Sequence, residues 1–160
     1  MRIVCAVLFG ALVSANAFAQ KAAFAVVEKI AGEVGFYTAD GKRISGVKVG
    51  THPHEIILSP DKRYLYVTDN GILWMTNPGE GGNTISIIDV ARRQKAGVID
   101  LGKYRRPHGI DIDPKSGRMA VTIENPDGML LIDPVKRQVL RKIDVQGEDP
   151  HMVAFGPAGQ

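Results

Sequence analysis

The sequence predicts an all-β protein made of repeated four-stranded antiparallel sheets, and three observations lead to this class. An internal repeat restarts on Pro-His three times. Short runs of β-branched and aliphatic residues alternate with turn sequences along the chain. No window carries a convincing apolar stripe at helical spacing. The composition, with 44% hydrophobic and 23% charged residues among 160, is that of a folded globular chain.

Residues 1–19 have the layout of a secretory signal peptide. Arg2 is the only charge, Ile3–Val13 is apolar, and Ala17-Phe18-Ala19 supplies small residues before the cleavage point. The apolar run is too short to span a bilayer. We therefore expect cleavage after Ala19, a periplasmic or secreted location and no membrane span in the mature chain. The alternative interpretation of these residues is an N-terminal helix that is buried in the fold. Cleavage would remove Cys5, the only cysteine, and with it any disulfide or cysteine-bound metal.

The internal repeat organises the rest of the chain. The run Pro53–Asp61 recurs as Pro107–Lys115, and Pro150-His151 opens a further copy. The repeat divides the chain into four parts: a partial first blade at 20–51, a blade at 52–106 with an insertion at 70–83, a blade at 107–149, and the first strand of a further, truncated blade at 150–160.

Each full unit contains four short apolar runs. In the first unit these are Glu55–Leu58, Tyr64–Thr68, Thr84–Ile88 and Ala96–Leu101. They are apolar on nearly every residue, as expected for a sheet that is buried on both faces. Four antiparallel strands in a unit of about 43 residues, stacked face to face with neighbours, predict the blades of a β-propeller. A β-sandwich is the alternative, but it gives no reason for the Pro-His restart.

The first full unit resembles the YVTN-type β-propeller repeat family. The run Ser59–Asp69 is similar to the signature SPDGKxLYVTN of that family, and Asn83–Asp89 is similar to its NTVSVID strand. This sequence has Lys62 in place of the signature Gly and Asp69 in place of the Asn. The resemblance covers residues 22–160 and implies an exported seven-bladed propeller. Binding modules, surface proteins, lactonases and propeller domains of redox enzymes all belong among such proteins, so the fold does not select a function.

The number of repeats predicts an N-terminal fragment of a propeller. A ring closes with four to eight blades, and the repeat here amounts to about three. We therefore expect further blades, or several copies of this chain, to complete the ring and cover the apolar faces of the outer blades.

The candidate site lies at one mouth of the predicted channel. In a blade, the start of the first strand and the end of the second lie at the same edge, with the first strand innermost. The Pro-His pairs therefore lie beside the insertion, a Gly- and Asn-rich loop of the kind that carries binding functions. The predicted rim residues are His52, His54, His108, His151, Asp69, Asn70, Trp74, Glu124 and Asn125.

The repeated histidines His54, His108 and His151 have two interpretations. Imidazoles arranged around a channel could converge on copper or zinc. Alternatively, Pro-His is part of the repeat structure, in which proline fixes a turn and the imidazole caps the backbone of the neighbouring blade. Recurrence in every blade favours the second interpretation. We therefore predict no cofactor, and a metal at the channel mouth is the less favoured alternative.

The sequence predicts a binding or scaffold function through this mouth, with an unknown protein or small-molecule partner. The net charge of +3 is dispersed along the chain, which argues against a nucleic-acid partner. We find no Ser-His-Asp set, glycine-rich phosphate loop, paired cysteines or haem-attachment motif, so no catalytic residue is assigned. One alternative is a lactonase-like hydrolase that uses His54 or His108 with Glu55, Asp69 or Glu124. A copper- or cofactor-associated redox propeller is the other.

Overall fold

A computed structural model describes residues 21–157 of the chain. Within this range the chain forms eleven strands in three antiparallel sheets and no helix. The predicted signal peptide at 1–19 lies outside the described residues.

The three sheets follow one another along the chain, and each is a simple meander. The first sheet contains β1 (Phe24–Glu28), β2 (Glu33–Tyr37) and β3 (Arg43–Lys48). The second sheet contains β4 (Pro53–Leu58), β5 (Tyr64–Asp69), β6 (Thr84–Asp89) and β7 (Gln94–Asp100). The third sheet contains β8 (Arg105–Ile112), β9 (Met119–Asn125), β10 (Asp127–Asp133) and β11 (Gln138–Ile143). The predicted class, all-β with four-stranded antiparallel blades, is confirmed.

Strands β5 and β6 of the second sheet are buried on both faces, which explains their uninterrupted apolar runs. Leu65 and Val67 pack in a core with Val34 and Phe36 of the first sheet. Tyr66, which lies between them in sequence, packs in a second core that the third sheet completes. Successive side chains of a strand point to opposite faces, so only a strand covered on both sides needs apolar residues at consecutive positions.

The turn between β4 and β5 shows how the sequence forms a blade hairpin. The Ser59 carbonyl accepts a hydrogen bond from Lys62 N at 2.8 Å, and the Ser59 hydroxyl accepts one from Tyr64 N at 2.9 Å. Asp61 accepts a bond from the same hydroxyl at 2.6 Å. Lys62 has a φ of 60°, in the left-handed region that glycine adopts most easily. This geometry explains why the repeat signature has Gly at the position of Lys62.

The first sheet corresponds to the second, third and fourth strands of a blade. β1 packs beside β4 as β5 packs beside β8, and β3 lies beside β7. Three positions are consequently equivalent at the ends of the second blade strands: Lys29, Asn70 and Glu124. Another three precede the Pro-His pairs and share a positive φ: His52 (43°), Arg106 (53°) and Asp149 (47°).

A threonine in the second strand of each complete blade joins adjacent blades. The Thr68 hydroxyl accepts a hydrogen bond from Glu55 N at 2.9 Å and donates one to the carbonyl of His108 in the next blade at 2.8 Å. Thr122 repeats this arrangement, accepting from Gly109 N at 2.7 Å and donating to the His151 carbonyl at 3.0 Å. The main chain at His108 and His151 is therefore fixed by the preceding blade.

Candidate functional site

Three imidazoles meet at the centre of the channel mouth. The ring centroids of His54 and His108 are 3.6 Å apart, and those of His108 and His151 are 3.8 Å apart. The rings of His54 and His151 lie edge to face at 6.1 Å. We call these three side chains the histidine floor. The sequence argument placed them at equivalent positions around the channel, and here they form one contiguous cluster.

The histidine floor is not saturated by hydrogen bonds. The Nδ1 atoms of His54 and His108 are buried and have no hydrogen-bond partner among the described residues. Glu55 Oε1 lies 3.5 Å from His54 Nδ1 without completing a hydrogen bond. The backbone cap expected of the imidazoles is therefore not formed by these atoms, and the threonine hydroxyls make the bonds to the neighbouring blade.

The two sets of equivalent positions form a wall around the floor. We use the word wall for Lys29, Asn70, Glu124, His52, Arg106 and Asp149. Glu124 is at its centre: Oε1 lies 3.9 Å from His108 Nε2, and Oε2 lies 3.9 Å from Arg106 Nη1. The Glu124 side chain is only 5% exposed. Since the floor is the same in each blade and the wall differs, the wall gives the mouth its individual chemistry.

Burial shifts the protonation of these groups. It lowers the pKa of His108 to about 3, and the pKa of His54 is also lowered, chiefly by burial. Burial raises the pKa of Glu124, although the nearby Arg106 charge opposes the shift. Burial likewise lowers the pKa of Lys29, against the attraction of Glu124 and Glu55. His54 and His108 therefore present neutral imidazoles at neutral pH, with one nitrogen of each ring free to accept a hydrogen bond.

The insertion at 70–83 forms a rim loop that Arg106 ties to the wall. Arg106 Nη2 donates to the carbonyl oxygens of Gly79 at 2.7 Å and Asn77 at 3.4 Å. The tip of the loop presents two exposed apolar side chains, Trp74 at 65% and Met75 at 61% exposure. The insertion therefore lies beside the wall, and the Arg106 guanidinium is one of the groups that hold it there.

Of the remaining predicted rim residues, one is buried, one lies in the wall and one is exposed. Asp69 is buried, and its carboxylate accepts hydrogen bonds from Gly50 N, Thr84 Oγ1 and Ser86 Oγ, each at 2.8 Å. His52 lies in the wall with Nδ1 3.3 Å from the Gly71 carbonyl oxygen. Asn125 is exposed at the tight turn into β10.

Sequence reasoning missed Lys29 and Arg106. Lys29 belongs to the partial first unit, which has no Pro-His pair to align it with the later copies. Arg106 was not among the predicted rim residues. The available signal was the position directly before each Pro-His, where His52, Arg106 and Asp149 differ in charge while the following two residues stay constant.

We expect the free energy of unfolding to fall when the pH is lowered from about 7 to about 5. The folded pKa of His108 lies below its unfolded value, so the unfolded chain binds more protons in this window. The stabilisation is complete above the unfolded pKa and is lost as the pH falls toward the folded one. The slope should approach about 1.4 kcal/mol per pH unit for one fully shifted group. Urea denaturation at several pH values measures it.

The histidine variant His108→Gln supplies the control for this titration. This substitution should flatten the pH dependence of the free energy of unfolding. His52→Gln should leave that pH dependence unchanged, since the His52 ring lies outside the floor. The ionisable side chains that face His108 are those of Lys29, His54, His151 and Glu124. The raised pKa of Glu124 acts in the opposite direction, so the comparison is kept above about pH 5. Parallel curves for the wild type and His108→Gln would contradict the assignment.

The chain has the β-propeller fold. This class of protein is defined by the sheet topology, by the stacking of the blades and by the mouth at the innermost strands. Solved structures of propeller-type proteins are similar to it. Hydrazine synthase of Kuenenia stuttgartiensis has a TM-score of 0.70 and 24% identity, over 84% of this chain and 36% of that one. The periplasmic gluconolactonase of Pseudomonas aeruginosa has a TM-score of 0.59 and 18% identity, over 80% and 39%. A dihydro-haem d1 dehydrogenase has a TM-score of 0.57 and 17% identity, over 78% and 25%.

These likenesses concern the fold. The chain spans less than two fifths of the length of each of these proteins. No protein-family model and no curated protein matches the sequence. Residues 21–157 include no helix of the length and hydropathy that crossing a bilayer requires.

Proposed function

We propose that the channel mouth binds a small hydroxylated carboxylate, such as a sugar acid. One observation carries the proposal: Arg106 and Glu124 are both largely buried, at 17% and 5% side-chain exposure, yet stay 3.9 Å apart. Arg106 Nε is buried without a hydrogen-bond partner among the described residues. An unpaired polar group costs stability when buried, so the free Arg106 Nε, next to a carboxylate that stays 3.9 Å from Arg106 Nη1, favours a third group that bonds to both side chains.

The chemistry of the wall selects the ligand class. The Arg106 guanidinium and the Lys29 ammonium group donate hydrogen bonds and carry positive charge, which suits a carboxylate. The Glu124 carboxylate accepts hydrogen bonds, which suits hydroxyl groups. A molecule that carries both kinds of group satisfies the two sides of the mouth together.

A neighbour in fold supports the sugar-acid class of ligand. One neighbour in fold is named as a periplasmic gluconolactonase, an enzyme of a sugar-acid lactone. An exported location is part of the proposal, and it rests on the composition of residues 1–19 and on this periplasmic neighbour.

Titration of the full chain with D-gluconate and D-glucuronate by calorimetry tests the proposal. We expect Arg106→Gln to weaken binding at least about tenfold, because charge-assisted hydrogen bonds contribute about 1.5–3 kcal/mol. Arg92→Gln is the matched control, since Arg92 is paired with Asp89 in the turn at the opposite edge of its sheet. Equal weakening by both substitutions, or no binding of either acid, would contradict the proposal.

A second candidate function is hydrolysis of the corresponding lactones. The position of Glu124 beside His108 Nε2 favours it, because a carboxyl group with a raised pKa can transfer protons near neutral pH. Glucono-δ-lactone hydrolysis by the wild type that is lost in Glu124→Gln would support this function. Hydrolysis no faster than in buffer would leave binding alone.

A further inference from the structure

We propose that the histidine floor binds one first-row divalent transition-metal ion through His54, Glu55 and His108. This inference goes beyond the sugar-acid proposal and does not depend on it, because the wall residues used there are not ligands here. One ligand atom from each of the three side chains lies within 4.8 Å of the other two. Ligand atoms on one ion are about 3.3 Å apart in tetrahedral coordination, so small side-chain rotations bring this set together.

The unpartnered nitrogens provide an observation independent of this clustering. His108 is 4% exposed, and among residues 21–157 neither its Nδ1 nor His54 Nδ1 has a hydrogen-bond partner. A purely structural imidazole gains stability by bonding both nitrogens, and an unpaired buried one costs about 1–3 kcal/mol. Two such nitrogens in rings 3.6 Å apart are accounted for if a metal ion supplies the missing bonds.

Glu55 distinguishes this blade from the next. The histidines recur in every copy, which is the reason to regard them as structural, but the carboxylate does not recur. Its equivalent is Gly109, where a Cβ atom would lie 2.5 Å from the His151 carbonyl oxygen. The third blade therefore has no room for a side chain at this position, and the second blade uses the position to place an acidic oxygen beside two imidazoles.

The donor set selects the class of metal ion. Two imidazole nitrogens and one carboxylate oxygen suit zinc, copper or iron, whereas calcium and magnesium prefer oxygen ligands alone. Three protein ligands leave coordination positions open, as in catalytic rather than structural sites. The His151 ring lies 3.8 Å from that of His108 and is not a member of the proposed ligand set.

The test titrates the untagged full chain with Cu²⁺ or Zn²⁺ alone. We expect one ion per chain, with nitrogen hyperfine structure in the Cu²⁺ electron paramagnetic resonance spectrum. His54→Gln and Glu55→Gln should each weaken binding at least about tenfold. These two side chains are 24% and 35% exposed, so their replacement does not depend on refolding around the buried His108. Circular dichroism verifies that each variant is folded.

His52→Gln is the matched control, an imidazole of the same mouth that lies outside the floor. The inference is overturned if binding survives both His54→Gln and Glu55→Gln, or if His52→Gln weakens it equally. Failure to detect a stoichiometric ion would also overturn it. Since the probe is the metal alone, the result is independent of whether sugar acids bind: Arg106→Gln should lose the acid and retain the ion.

Discussion

Replacing Asp69 with alanine is expected to lower the free energy of unfolding by about 3–5 kcal/mol. The carboxylate is 2% exposed and joins two blades, because it accepts from Gly50 N before the second sheet and from Thr84 and Ser86 within it. Alanine would leave three donors without an acceptor in a site that water does not reach. Equilibrium urea denaturation of the full chain measures the loss.

Two further substitutions make this prediction specific. Asp69→Asn retains an oxygen for Gly50 N, and the hydroxyls of Thr84 and Ser86 can turn to accept from the new amide, so the loss should be less than half as large. Asp144→Ala removes a carboxylate that is 91% exposed and should change stability by less than about 0.5 kcal/mol. A loss below about 1 kcal/mol for Asp69→Ala would show that the blades are held together without this carboxylate.

Gly71→Ala is expected to disrupt the rim loop and to lower the free energy of unfolding by about 3 kcal/mol. Gly71 has a φ of +80°, and a Cβ atom there would lie 2.1 Å from the backbone nitrogen of Gly82. The first and last residues of the loop meet at this point, where Gly82 N donates a hydrogen bond to the Asn70 carbonyl at 2.7 Å. The only tryptophan, Trp74, lies on this loop, so its fluorescence anisotropy and the rate of proteolysis within 71–82 report the change.

Gly41→Ala separates the two causes. Gly41 has a similar φ of +84°, but no atom lies within 4 Å of the added Cβ. The Gly41→Ala substitution therefore introduces the backbone strain without the steric collision. It should lower the free energy of unfolding by about 1 kcal/mol. If both variants lose the same stability and Trp74 remains equally ordered, the close approach of Gly71 and Gly82 is not what shapes the loop.

The strands were predictable because local patterns specify them. β5 begins at Tyr64, where the apolar run was predicted to begin, and β6 begins at Thr84 as predicted. The Ser-Pro-Asp-Lys turn closes through its own side chains, and blade stacking requires apolar residues on both faces. These are short-range requirements that a sequence repeat displays directly.

The chemistry of the mouth was less predictable because it depends on which residues of different blades meet. Aligning copies by Pro-His identified the floor but gave no alignment for Lys29. The repeat also suggested that the imidazoles cap the backbone of the neighbouring blade; the threonine hydroxyls make such bonds, and the Nδ1 atoms of His54 and His108 have no partner among the described residues. Glu55 was expected only as a partner in acid–base chemistry; its place beside two rings follows from the three-dimensional arrangement.

The threonine bridges have a consequence for how such a protein can evolve. Each hydroxyl holds a main-chain carbonyl at a histidine position, and a carbonyl is present whichever amino acid occupies that position. Mutation can therefore exchange the side chains that face the central opening while the bridges keep neighbouring blades in register. New specificities would then arise by single substitutions, without a compensating change elsewhere in the scaffold.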